Sequence, residues 1–359
     1  MKITIDATSA LLRSAGVKGY TYHWLRSLRQ LAGPSDEIRA FPLLKDWANL
    51  DHEHSVLPLA PTIARLAALH AANVLGPPVL DLLLRGTDVF HAGNLVRQPP
   101  GKAHLTATIH DLTSWIMPEV HTQSTLRADR TFEERILKRA DGLIAVSENT
   151  RQDAIRLLGI QPEKIRTIHS GVGEEYFDAR PSPRAKPYVL FVGTIEPRKN
   201  LDTLLDAWQS VRPDVREHFD LVIAGPQGWN SAATMARIRQ EATYLGYVPE
   251  ADMPGLVAGA ALFVYPSLYE GFGFPLVQAM ASSVAVLSSR TSCLPEIGGD
   301  AAAYVDPRSP SEMSAQLTRL LESSGERSKL AQLGRTRAER YRWERCAKES
   351  LEFFRKIAG

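Results

Sequence analysis

The chain has 359 residues, more than one hydrophobic core ordinarily organises, so two domains are expected. Its 42 Lys and Arg nearly balance 40 Asp and Glu, and neither half is basic, which excludes a protein that binds nucleic acid by neutralising phosphates. The two cysteines, Cys293 and Cys346, are too few and too far apart for a disulfide scaffold or a cysteine-zinc site, and MKITIDATSALL lacks the segments of a secretory leader, so a cytoplasmic location is expected.

In chain order, KITIDATSA reads as a strand and YTYHWLRSLRQLA as a helix, with Tyr22, Leu25, Leu28 and Leu31 at helical spacing. The most apolar stretch, 56–84, is broken by Arg65, His70 and the pair Pro77 and Pro78, so it fails as a membrane span. Core helices under a loop are expected there; a helix lying on a bilayer surface or lining an acceptor groove is the alternative. The short apolar runs DVFHAG (88–93), HLTATIHD (104–111), GLIAVSE (142–148) and KIRTIHSGV (164–172) follow, with helical stretches between some of them. Strands this apolar, alternating with helices, indicate a parallel sheet covered on both faces.

RPSPRAKP (180–187) has the composition of a linker. Alternation then restarts with YVLFVGT, LDTLLDAWQSV, DLVIAGP, SAATMARIRQEA, TYLGYVP, EADMPGLVAGA, ALFVYPS, PLVQAMASS and VAVLSS, and the last fifty or so residues are helical and amphipathic. The fold class is α/β, with two doubly wound halves. Expected boundaries are 1–180 and 186–341, with 342–359 packing back on the first domain. A hinge is expected near 173–186 and at the last helix.

Ligands of such sheets sit outside the carboxyl ends of the strands. There the sequence places His110 and Asp111, Ser147 and Glu148, 194–199, 225–228 and 270–274. In YEGFGFPLVQAM (269–280), Pro275 suits a first helical turn, and Gly271 and Gly273 leave backbone N–H groups open to an anion. An ordinary strand-to-helix turn would use glycines too. Glu270 favours the ligand reading, because a carboxylate beside an anion cradle must face neutral donors, such as sugar hydroxyls. In FVGTIEPRKNLDTLL, Arg198 and Lys199 precede a helix with Asn200 as N-cap. Two cations there oppose the macrodipole at a cost of up to about 1 kcal/mol unless an anion binds, and a diphosphate fits. His110 by itself reads as a hydrogen-bonded loop residue and His169 as structural; Ser147 reads as an N-cap with Glu148 in the first turn, and neither is assigned to the site.

Together these segments resemble the retaining glycosyltransferases of family 4, whose GT-B fold has two facing Rossmann-like domains with a cleft between them. The resemblance runs through GVKGY, TIHDLT, AVSENTRQDAIRLLGI, KIRTIHSGV, VGTIEPRKNLDTLLDAW, LVIAGPQGW, LGYVPEADMPGLVAGA, YPSLYEGFGFPLVQAM and LPEIGGDAAAYVDP, nearly the whole chain. It implies transfer of a hexose from a nucleotide-diphosphate sugar to a glycan or lipid-linked acceptor, with retention of configuration, no metal and no cofactor. Carried over, Arg198 and Lys199 hold the diphosphate; Glu270 binds sugar hydroxyls; Gly271, Phe272, Gly273 and Phe274 present amides to sugar and phosphate. His110 sits near the reacting face, Gly16 lets the first loop close over the distal phosphate, Tyr247 and Val248 frame the base, and Gln278 clamps the ribose. GDP-mannose is the preferred donor, with UDP- and ADP-sugars open. Acceptor contacts are expected within 45–85 and 112–125, with peripheral contact at the inner face of a membrane as an option.

Three departures from the family pattern stand out. The second of its paired glutamates is Gln278, whose amide must donate where a carboxylate would accept, weakening donor binding by ~1 kcal/mol. Thr194 stands where an arginine is common, and Lys18 and Gly19 occupy the last two places of a loop that often ends glycine, arginine. Rival readings are a dehydrogenase, for which the first strand lacks G-x-G-x-x-G; a nucleotide-sugar epimerase; a PLP-dependent phosphorylase, for which the chain is short; and a non-catalytic sugar-nucleotide binder, which Gln278 permits.

Overall fold

The computed structural model describes residues 1–11, 16–42, 59–93 and 95–359. The chain divides into two compact units, one of Met1–Gly171 with Trp343–Gly359, the other Val172–Arg342.

The first unit is built on six parallel strands: β1 (Lys2–Asp6), β2 (Glu37–Phe41), β3 (Val89–Ala92), β4 (His104–Ile109), β5 (Gly142–Ala145) and β6 (Ile165–Thr167), in the order β2-β1-β3-β4-β5-β6. The chain runs outward from β1 to β2, then crosses to β3 on the other side, so the switch point lies between β1 and β3. The helix Gly16–Leu31 packs on this sheet and against the terminal helix Trp343–Ala358, where Trp24 Nε1 donates to Ser350 Oγ at 3.0 Å. Gly142 lets the terminal helix approach β5: a Cβ there would stand 2.7 Å from the Phe353 ring. Leu69, Ala72 and Leu80, on the helices Leu59–Leu75 and Pro77–Leu83, join the core, as core helices should, while Ile63, Val74, Leu75 and Leu82 are exposed. Among the described residues no helix is long and apolar enough to cross a membrane. The part of the expected acceptor segment 45–85 that precedes Leu59 lies outside the described residues.

The second unit repeats the plan with β7 (Tyr188–Val192), β8 (Asp220–Ala224), β9 (Thr243–Gly246), β10 (Leu262–Tyr265), β11 (Val286–Ser289) and β12 (Ala303–Val305), parallel in the order β12-β11-β10-β7-β8-β9. β7, β10 and β11 are buried along their whole length, which is why their sequences are apolar without alternation. Here the switch point separates β7 from β10.

The division between units falls at Gly171 and Val172, upstream of the proline-rich 180–187 stretch expected to mark it, and the return crossing falls after Arg342. Contacts explain the difference. Val172 N donates to Tyr341 O at 2.8 Å, Ser282 Oγ donates to Tyr176 O at 3.1 Å, and the Phe177 ring lies 4.5 Å from the Arg335 guanidinium and 3.4 Å from that of Arg342. Prolines set the local path of 180–187, but the aromatic anchors before it fix that segment to the second unit.

Candidate functional site

The loops after β7 and β10 meet because their strands are neighbours in the sheet. After β7 a turn of 3-10 helix, Pro197–Lys199, ends at Asn200 in the left-handed region (φ 59), a conformation asparagine tolerates. Asn200 stands at the expected N-cap position of the helix Leu201–Gln209, yet its side chain makes no capping bond. Its Nδ2 donates instead to Pro266 O (3.0 Å) and Pro307 O (2.7 Å), while its Oδ1 accepts from Thr203 Oγ1, so it ties together the loops that follow β7, β10 and β12. Leu268 N donates to Arg198 O, and Arg198 Nη1 to Tyr269 O at 2.7 Å.

This zipping delivers Arg198 and Lys199 to Glu270. Lys199 Nζ lies 2.6 Å from Glu270 Oε1 and donates to Tyr265 OH at 3.0 Å; Arg198 Nη1 lies 2.8 Å from Glu270 Oε2, and its Nη2 lies 2.7 Å from Glu196 Oε1. Lys199 is 8% exposed, Glu270 7% and Glu196 5%. Two cations and two carboxylates thus form a largely buried chain of ion pairs, Glu196 to Arg198 to Glu270 to Lys199. Burial alone would raise the Glu270 pKa, but Arg198 and Lys199 overcome it and hold the carboxyl at about 2. Burial pushes Lys199 down from its ordinary value; Glu270 opposes the shift and the neighbouring positive charge of Arg198 adds to it. At neutral pH the Glu270 carboxyl is therefore ionised. Glu270 N donates to Ser292 Oγ at 3.0 Å, and Ser292 is itself at positive φ (50°).

Four residues after Glu270 the helix Phe274–Ala281 begins, with Gly273 at its N-cap in the left-handed region (φ 86) and proline in its first turn, as the sequence predicts. Phe272 packs edge-on to Phe274 and to Tyr341, which fixes the loop between Glu270 and the helix. Gln278 is half-buried on this helix, beside the core residues Val277 and Ala279, and among the described residues its side-chain amide makes no hydrogen bond. The loops after β7, β8 and β9 are laced by Ile195 N to Pro226 O, Gly228 N to Ile195 O and Gly225 N to Gly246 O, all within 2.9 Å. Gly225, at φ 136, must be glycine, since a Cβ would come 2.0 Å from Gly193 O. Tyr247 and Val248 follow β9, two strands from β7 and so about 10 Å to its side; Tyr247 is 61% exposed.

The structure therefore brings Arg198, Lys199 and Glu270 into direct contact and sets Gly271, Phe272, Gly273 and Phe274 after β10 and Tyr247 and Val248 after β9, all beyond the carboxyl ends of strands of one sheet, with Gln278 further along the helix Phe274–Ala281. His110 and Gly16 belong to the other unit. His110 follows β4, half-buried, edge-on to Tyr20 with ring centroids 4.7 Å apart. Burial lowers its pKa to about 4, with Asp111 opposing, so the imidazole is neutral at physiological pH. With Asp6, His91 and Thr108 it lines a cavity of about 50 Å³ at the β1–β3 switch point, where burial raises the Asp6 pKa to about 6. Gly16 is the first residue of its helix, with open space where a Cβ would stand; residues 12–15 before it lie outside the described residues. Ser147 caps its helix as expected, accepting from Thr150 N. Among the described residues no cluster of three or more His, Cys, Asp or Glu could hold a metal ion.

Sequence reasoning missed Glu196, Tyr265 and Ser292. Glu196 lies inside the GTIEPRKN segment, and Tyr265 is the last residue of an apparent strand, so both were adjacent to a visible signal. Ser292 is brought to Glu270 only by the fold.

The model of Glycosyltransferase Family 4 matches residues 16–176, and that of glycosyl transferases group 1 matches 173–337. O-antigen chain mannosyltransferase B of Escherichia coli is 30% identical over 282 residues, 74% of this chain and 74% of that protein. The MMP alpha-(1->4)-mannosyltransferase of Mycolicibacterium hassiacum is 27% identical over 231 residues, 63% of this chain and 56% of that protein; a serotype-specific mannosyltransferase WbdA of E. coli is matched over only 29% of its length. Sucrose-phosphate synthase from Thermosynechococcus elongatus has the same fold (TM-score 0.74, 18% identity, 99% of each chain), as does HepE of Anabaena, solved with UDP and glucose (TM-score 0.69, 16% identity, 99% and 100%). These relatives favour glycosyl transfer over the epimerase and the non-catalytic binder. With two six-stranded parallel units of the GT-B class, the chain belongs to the family 4 glycosyltransferases.

Proposed function

We propose that the chain transfers mannose from GDP-mannose to a hydroxyl of a glycan or lipid-linked acceptor, with retention at the anomeric carbon and without a metal or cofactor. The observation that carries the reading is the buried contact of Arg198 and Lys199 with Glu270 at the switch point of the second sheet. In the proposed reaction the bond from C1 to the diphosphate oxygen breaks, the acceptor oxygen bonds to C1 on the same face, and the acceptor proton passes to the departing diphosphate. Arg198 and Lys199 stabilise the charge that develops there. Glu270 accepts hydrogen bonds from sugar hydroxyls, amides of Gly271, Phe272, Gly273 and Phe274 bind sugar and phosphate, and Gln278 bonds the ribose. Tyr247 and Val248 frame the base. Gly16 serves the distal phosphate, and His110, being neutral, acts as a hydrogen-bonding group toward the sugar. Mannosyltransferases among the relatives support the choice of sugar.

The test is transfer from GDP-, UDP- and ADP-sugars to mannose oligosaccharides or their lipid-linked forms, with and without chelator, reading the product anomer by NMR. Transfer from GDP-mannose that keeps the α configuration, survives chelation and fails in Lys199→Ala and Glu270→Ala is expected. An inverted product, another preferred donor, or full activity in both variants refutes the corresponding part.

A further inference from the structure

Glu270 is engaged on both oxygens by the chain's own cations. Its oxygens are taken one each, Oε1 by Lys199 at 2.6 Å and Oε2 by Arg198 at 2.8 Å. The proposed function asks Glu270 to accept from sugar hydroxyls and both cations to meet a diphosphate. A carboxylate and a phosphate oxygen seek the same ammonium and guanidinium protons, so the two arrangements compete for the same donors. Glu196 is placed differently: among the described residues its ion pair is with Arg198 Nη2, on the side of the guanidinium away from Nη1 and Glu270 Oε2.

We propose that Glu270 is an internal competitor of the diphosphate: sugar hydroxyls of the intact donor draw it off Arg198 and Lys199, and once the sugar has left it returns to them and expels the nucleoside diphosphate. The inference rests on the assignment of the diphosphate to these two cations. With intact donor, the broken ion pairs are replaced by phosphate bonds to the cations and hydroxyl bonds to the carboxylate. With product, nothing replaces the carboxylate's partners, and Glu270, tethered beside the cations, competes at high effective concentration. The site thereby separates two ligands that share one base and one diphosphate, which uniform binding could not do.

The test is calorimetric affinity for GDP and for GDP-mannose, with UDP and UDP-glucose as a second pair, in wild type, Glu270→Asp and Glu270→Gln. Asp keeps the charge but is one methylene too short to bridge both cations; Gln keeps the shape and loses the charge. Both variants are expected to bind the nucleoside diphosphate about tenfold more tightly and the nucleotide sugar no more tightly, with product inhibition strengthened in step. Glu196→Gln, which removes a charge without removing the bridge, is expected to shift both ligands alike. Unchanged or weaker diphosphate binding in both Glu270 variants overturns the exchange and leaves the site assignment standing. No binding of either pair to the wild type overturns the site assignment and the exchange with it.

Discussion

Replacing Lys199 by methionine removes one charge from the chain of ion pairs and keeps most of the side chain's volume. Lys199 Nζ loses two partners, Glu270 at 2.6 Å and Tyr265 OH at 3.0 Å, and Glu270 keeps Arg198 at 2.8 Å. Removing one member of a buried ion pair outright is destabilising by about 3–5 kcal/mol because a charge is left alone. Here Arg198 remains on the carboxylate, so a loss of about 1–3 kcal/mol is expected, the scale of a buried charged group losing one hydrogen bond. The effect on catalysis should be larger. A fixed donor aimed at developing charge accounts for roughly 10²–10³ in kcat, and Lys199 is one of only two cations assigned to the diphosphate. Urea melts would measure the first effect, and initial rates of sugar transfer at saturating donor the second. A folded Lys199→Met protein with kcat within about threefold of wild type would refute the assignment of Lys199 to the leaving group, since even one lost donor should exceed that.

Three further outcomes are expected. The Glu270 pKa falls from 4.5 to about 2 on folding, so its ionised form contributes up to about 3 kcal/mol above the unfolded value, and this is lost as pH falls toward 2; urea melts between pH 6 and pH 3 should be steeper in pH for wild type than for Glu270→Gln. Gln278→Glu should fold normally and keep its activity, with donor binding unchanged or up to about fivefold tighter; a folded but inactive variant, by the same kinetic assay, would show that Gln278 does not face the ribose. Gly225→Ala should lower stability by about 2 kcal/mol or more, because its Cβ meets Gly193 O at 2.0 Å and the loop must move; differential scanning calorimetry reads the change.

The sequence exposed most of the fold because parallel strands buried on both faces are written as uninterrupted apolar runs, and β7, β10 and β11 are of that kind. Gly273 and Pro275 were legible for a local reason: backbone conformation is set by the residue that adopts it. The place of the first crossing between the units was not legible, since the proline-rich 180–187 resembles a linker while anchoring depends on where Phe177 finds Arg335 and Arg342, more than 150 positions later.

The same distinction explains the site. Arg198, Lys199 and Glu270 could be named singly, from their places beside predicted helix starts, but nothing within either segment says that a carboxylate 71 residues away lies on the lysine. That proximity follows from strand order: β8 and β9 extend the sheet on one side of β7, so β10 is added on the other, and the two carboxyl-end loops become neighbours. Asn200 shows the limit of local reasoning. An asparagine before a helix is a sound N-cap candidate, yet this one sits where three loops converge, and bonds to the carbonyls of Pro266 and Pro307 replace the cap. A residue's type fixed the bonds it could make; the sheet's topology decided which of them it makes.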